Sequence, residues 1–198
     1  MSWQLYLPQV KEALKKAPRG NALSYFEAFD FKTQMAEFHV TSLPRELGSV
    51  AERSHTEAAI FQMKAALDCI AEAVNQIYQL WIRSDYALSI EQLAGVKGKG
   101  LASRNNALRS SIGRLRRERW WLDFKGLRDR LTHQGLVIHH FAVSLGGPEP
   151  ARSAHLEVSG RRSDKELRND LEDYLTNARA CGEEVCRLLL LDRTWPQV

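Results

Sequence analysis

The most regular feature of the chain is a run of apolar residues spaced alternately three and four apart: Ile60, Met63, Leu67, Ile70, Val74, Ile77 and Trp81. That spacing keeps one face of an α-helix apolar over three heptads. Ala58, Ala59, Ala65, Ala66, Ala71 and Ala73 raise helix propensity around it. The pattern predicts a helix over 49–83, roughly 50 Å long at 1.5 Å per residue. Its other faces are too apolar for a lone coiled coil. It therefore reads as the central helix of a bundle, with neighbours at a shallow crossing angle. A dimer seam is the alternative use of the same stripe.

Weaker patterns flank it. Residues 2–17 read as a first helix, broken or kinked near Pro8. Residues 23–40 read as a helix whose apolar residues, Phe26, Phe29, Phe31 and Phe38 among them, keep no single stripe. Ser89 with Gln92 three positions on predicts a capping box for a short helix ending near Gly95. A basic helix is expected over 101–119 with Leu108, Ile112 and Leu115 inward, followed by a helix over 120–134 with Trp120, Phe124, Leu127 and Leu131 at helical spacing. The Trp120–Trp121 pair reads either as a base-stacking platform or as one core and one half-exposed indole.

After Gly135 the apolar period changes to two, through Val137, His139, Phe141, Val143 and Leu145. A Gly-Gly-Pro-Glu-Pro loop follows, and His155, Leu156 and Val158 return. These predict a β-hairpin at about 136–159 that must pack on the helices. A last helix is expected over 164–191, capped by Ser163 with Glu166 as its reciprocal partner. The fold class is mainly α: a helical bundle around one long central helix, with the hairpin inserted before the C-terminal helix, as one domain over 1–198.

The length of 198 residues suffices to bury a core without disulfides or metals. No stretch suits a membrane span, and the N-terminal residues do not resemble a secretory leader. Cys69, Cys181 and Cys186 lack CxxC spacing and read as free thiols of a reducing, cytoplasmic compartment. Charge changes the picture more. Between Lys97 and Arg130 stand eleven basic residues against three acidic ones, a net +8 where the whole chain carries +4. Arg114, Arg116, Arg117, Arg119, Lys125 and Arg130 make this segment a candidate nucleic-acid surface, since such a field attracts phosphate backbones. A solvated helix face or a salt-bridge strip is the plainer reading.

The candidate chemistry ends that segment, in Arg128-Asp129-Arg130-Leu131-Thr132-His133. Cleaving a phosphodiester by its own 2′-hydroxyl needs a group that moves protons near neutral pH, which His supplies. It also needs a fixed cation for the phosphorane charge, which Arg supplies bidentately. Five residues apart on a helix, Arg128 and His133 do not share a face. A second copy across a two-fold axis would complete a pocket of two Arg and two His, so a homodimer is expected. The plainer reading has His133 at a helix C-terminus and Arg128 paired with a nearby acid. Metal sites are disfavoured: His139 and His140 alternate across a strand, and no Cys or paired carboxylate accompanies them.

The RDRLTH segment resembles the signature of the HEPN superfamily, an Arg followed by a polar residue and, after a short spacer, His. The order of an Ala-rich acidic helix, the stretch WWLDFKGLRDRLTH and a final helix is also similar. The resemblance covers about 50–190, with the hairpin looking like an insertion. It implies a helical bundle with a composite dimeric site and endoribonuclease activity of toxin or defence type. Such activity needs no metal or cofactor and leaves a cyclic phosphate. By that resemblance Arg128 and His133 are catalytic and Asp129 orients them, with RNA as substrate and an antitoxin or regulatory protein as partner. Non-catalytic members of the superfamily bind nucleic acid or protein instead.

Overall fold

The computed structural model describes residues 5–44, 48–82, 88–95, 99–134, 139–144, 151–158 and 161–192. Within those spans the side chains at 132–134, 139–144 and 151–153 are outside the description, as are those at 94, 99, 158, 161 and 162. The elements in order are α1 (Leu7–Lys16), α2 (Ala22–Thr41), α3 (Val50–Tyr78), α4 (Ile90–Ala94), α5 (Lys99–Arg104), α6 (Asn106–Leu115), α7 (Arg119–Gln134), β1 (His139–Ser144), β2 (Ala151–Val158), β3 (Arg161–Arg162) and α8 (Leu167–Leu190). The chain is mainly α, with α3 at the centre and the hairpin where the alternating pattern predicts it.

α3 starts where Ser49 accepts the Glu52 N–H, and the Glu52 carboxylate reaches back to the Gly48 N–H. Ile60, Met63, Leu67, Ile70, Val74 and Ile77 are all buried. Trp81 is not: it lies past the helix end and is 81% exposed. The helix stops early because the Asn75 carboxamide bonds both the N–H and the carbonyl of Ile82, each at 3.2 Å. Gln79 takes the left-handed conformation at φ 48° to make that turn.

α2 lies antiparallel against α3, as the contacts Lys32–Gln62 and His39–His55 require. Its blurred periodicity has a physical cause. Phe26, Phe29, Thr33, Ala36 and Val40 face the core, while Phe31 and Phe38 stand exposed on another face. α8 closes the core with Leu167, Leu171, Tyr174, Leu175, Ala178, Val185 and Leu188 buried. Gly182 is the close-approach point: a Cβ there would stand 2.2 Å from Phe29 Cζ. α1 begins at Leu7, so Pro8 sits in a first turn where its missing N–H costs nothing. The free N–H groups of Tyr6 and Leu7 donate to the Glu183 carboxylate of α8.

The structure departs from the sequence reading in four further places. The expected basic helix is two helices, because Asn105 adopts a non-helical conformation and its side chain caps Leu108 N at 2.8 Å. Trp121, not Trp120, is the core indole, 3% exposed, and Trp120 packs edge-on against it. α8 begins at Leu167 rather than beside Ser163. His155 Nδ1 lies 3.1 Å from the Ser163 carbonyl and 2.8 Å from that of Lys165, which holds this stretch as a turn. Finally, β2 begins at Ala151 and pairs antiparallel with β1 on one side and with the short β3 on the other. The loop 145–150, Gly135 and Val137 lie outside the described residues.

Candidate nucleic-acid interface

α6 is amphipathic, and that fixes where its charge goes. Leu108, Ile112 and Leu115 are buried in the core cluster. Arg109, Ser110, Gly113 and Arg114 of α6, with Arg116 and Arg117 of the turn that follows it, line an open groove of about 520 Å³. Positions 109 and 113 and positions 110 and 114 are neighbours on the helix surface, and the turn closed by the Arg117 N–H on the Arg114 carbonyl at 2.9 Å keeps Arg116 and Arg117 beside them. Gly113 leaves the floor low, since a Cβ there would meet nothing within 4 Å. Arg109 is half-buried, and its Nε is enclosed without a hydrogen-bond partner among the described residues.

Arg109, Arg116 and Arg117 form no ion pair among the described residues, and Arg114 only adds to the field that holds the Glu184 carboxyl below its ordinary value. The main cause of that lowering is the hydrogen bond from Arg187. The groove adjoins the C-terminal end of α6, where the helix dipole is negative. Its attraction for anions therefore comes from guanidinium charge alone. Arg109 stands outside the six candidate contacts of the basic segment; its place seven residues before Arg116 is the sequence signal that joins it to them.

Three other basic residues of the segment are engaged. Arg119 pairs with Asp123 at 2.8 Å, Lys125 approaches Glu91 at 3.5 Å, and Arg130 joins Glu157 of β2 at 2.8 Å. Arg119 itself is 79% exposed, so its pair is weak and screened. The six residues thus divide: Arg114, Arg116 and Arg117 share the groove, whereas Arg119, Lys125 and Arg130 do not line it.

Arg128 projects from the middle of α7 and is 14% exposed. Its guanidinium donates from Nε and Nη2 to one oxygen of the adjacent Asp129. It also lies in the field of Asp68 on α3, which binds Lys64 at 2.5 Å. Burial raises the Asp68 carboxyl pKa, and Lys64 and Arg128 pull against that rise. Arg128 is therefore a largely enclosed cation, held by Asp129 and within the field of Asp68. His133 falls in the last turn of α7, and its side chain lies outside the described residues.

Two further concavities border α8. One, of about 170 Å³, includes Cys181, Trp120 and Glu184 in its lining. Burial pushes the Cys181 thiol up to about 12, so it is a neutral, unreactive group there. The other, of about 540 Å³, brings Asp123, Asp170 and Asp173 near Arg119 and Lys165. Among the described residues no three His, Cys, Asp or Glu side chains converge at metal-binding distance, and no helix is long and apolar enough to cross a membrane. No protein-family model, curated protein or solved structure matches the chain.

Proposed function

We propose that this protein binds RNA along the α6 groove and cleaves it, without metal, at the Arg128–His133 motif of α7. The observation that carries the reading is the groove itself: four arginines on one face, three of them free of any ion pair among the described residues. A phosphate backbone brings evenly spaced negative charge and releases its counterions to such a surface. The RDRLTH segment supports the chemical half of the proposal through its likeness to the HEPN signature. In that chemistry the 2′-oxygen attacks phosphorus and loses its proton to a base. The 5′-oxygen leaves with a proton from an acid, and a 2′,3′-cyclic phosphate remains. One imidazole from each of two copies would serve as base and acid, and Arg128 would hold the phosphorane charge. Its double hydrogen bond to Asp129 supports an orienting role for that carboxylate.

The test is an RNA cleavage assay in EDTA. Wild type should generate cyclic-phosphate ends, and His133→Ala should slow cleavage by about 10²- to 10⁴-fold, the usual contribution of a general acid or base. Both proteins should bind RNA equally. If the wild type leaves single-stranded and structured RNA uncut with and without divalent metal, the enzyme reading is lost.

One observation favours a second reading. Arg128 is enclosed and its charge already answered by Asp129 and Asp68. A non-catalytic helical dimer that binds nucleic acid through α6 would need nothing more from it. The same assay separates the two, since this reading predicts RNA binding with no cleavage.

A further inference from the structure

The α2–α3 pair carries a site unrelated to the arginine groove. His39, in the last turn of α2, and His55, near the start of α3, place their Nδ1 atoms 3.1 Å apart across the helix interface. Both rings are half-exposed, with centroids 5.3 Å apart and planes inclined at 53°. Phe38 packs edge-on against both, at 5.3 and 6.4 Å, and forms one wall. The position is fixed by rigid elements: Phe29, Ala36 and Val40 of α2 and Ala59, Ile60 and Met63 of α3 are all buried in the same core cluster.

We infer that His39 and His55 form a two-imidazole site for a borderline transition-metal ion such as Zn²⁺, Ni²⁺ or Cu²⁺. The argument is geometric. With metal–nitrogen bonds of about 2.05 Å, two adjacent ligands stand about 2.9 Å apart at a right angle and about 3.3 Å apart at the tetrahedral angle. The observed 3.1 Å falls between these values; with centroids 5.3 Å apart the rings now face head-on, as in an imidazole–imidazole hydrogen bond, so each turns slightly to aim its lone pair at a shared ion. Without a metal, two neutral imidazoles facing through Nδ1 satisfy each other only if one holds its proton there. A metal accepts both lone pairs and leaves the protons on Nε2.

The ligand set also selects the ion. Two nitrogens, with no carboxylate joining them among the described residues, suit Zn²⁺, Ni²⁺ or Cu²⁺ and not Mg²⁺ or Ca²⁺. Glu52, one turn before His55, is turned to the Gly48 N–H instead. Water fills the remaining positions, as the half-exposure of both rings allows.

The experiment titrates the full chain with ZnCl₂ by calorimetry, comparing wild type with His39→Gln, His55→Gln and the double variant. Wild type should bind one ion more than the double variant, and each single variant should weaken that ion at least tenfold. With one equivalent of CuSO₄, electron paramagnetic resonance of wild type should report two equatorial nitrogens, and of each single variant one. Equal stoichiometry and affinity in wild type and double variant would overturn the assignment. So would a copper spectrum of folded wild type that the double substitution leaves unchanged. MgCl₂ should give no heat with any of the proteins, and saturable Mg²⁺ binding lost in the double variant would also contradict the ligand chemistry.

Discussion

Asn105 sets the position of the helix that carries the arginine groove, and its replacement by Ala has a calculable cost. The side chain is 9% exposed. Its Oδ1 accepts the Leu108 N–H at 2.8 Å, capping α6. Its Nδ2 donates to Tyr78 Oη at 2.9 Å and Asp192 Oδ2 at 3.2 Å, with the Leu188 carbonyl at 3.5 Å. Loss of an N-cap costs about 1 kcal/mol. Loss of a buried hydrogen bond to a charged acceptor costs about 1.5–3 kcal/mol. Asp192 keeps its 2.6 Å bond from Tyr78, which puts the second figure at its lower end. Asn105→Ala should therefore destabilise the protein by about 2–3 kcal/mol in urea unfolding followed by circular dichroism. Asn105→Ser restores a cap but cannot span the network, and should recover about 1 kcal/mol. Asn105→Asp keeps the acceptor but turns a carboxylate towards Asp192, and should recover less than Ser. An Asn105→Ala midpoint equal to wild type at unchanged m-value would refute the reasoning.

Other outcomes follow from the same packing. Gly182→Ala gains about 1 kcal/mol of helix propensity but forces a Cβ into the Phe29 ring, an overpacking cost of about 1–3 kcal/mol or more. The variant should melt lower than wild type, and Phe29→Leu in the same chain should recover part of the loss. Asp170 is 7% exposed, and its Oδ2 has no hydrogen-bond partner among the described residues. Burial raises its pKa in the folded state, with Ser163 and Lys165 acting the other way. The folded protein then holds that proton more tightly than the unfolded chain, so stability falls as pH rises from the ordinary carboxylate range through the folded value. Asp170→Asn cannot ionise, and its stability relative to wild type should improve across that rise; a flat difference would show that Asp170 titrates normally.

How far the sequence foretold the fold depended on how local each cause is. The heptad seam announced α3 because one side of the helix meets a continuous core, and Ser89 with Gln92 announced α4 because both capping partners lie within one turn. The end of α3 was hidden, since it depends on Asn75 reaching seven residues ahead to Ile82. The break at Asn105 looked like helix interior, because its stabilising partners, Tyr78 and Asp192, are remote in sequence. α2 lacked a clean stripe for an equally physical reason: Phe31 and Phe38 are exposed while Phe26 and Phe29 are core. At the candidate site, net charge located the basic segment but not its division. Whether an arginine joins the groove or an ion pair depends on acids brought from elsewhere, Glu91 to Lys125 and Glu157 to Arg130.

In the proposed function the α6 groove holds a phosphate backbone through guanidinium groups that pair with no acid among the described residues. Single-stranded RNA affinity measured against salt concentration tests it most directly, with wild type compared to Arg114→Ala/Arg116→Ala/Arg117→Ala. Each phosphate contact contributes about 0.7 to the slope of log affinity against log salt, so the triple variant should bind more weakly and with a slope shallower by about 2. An unchanged slope and affinity in a folded triple variant would contradict the claim.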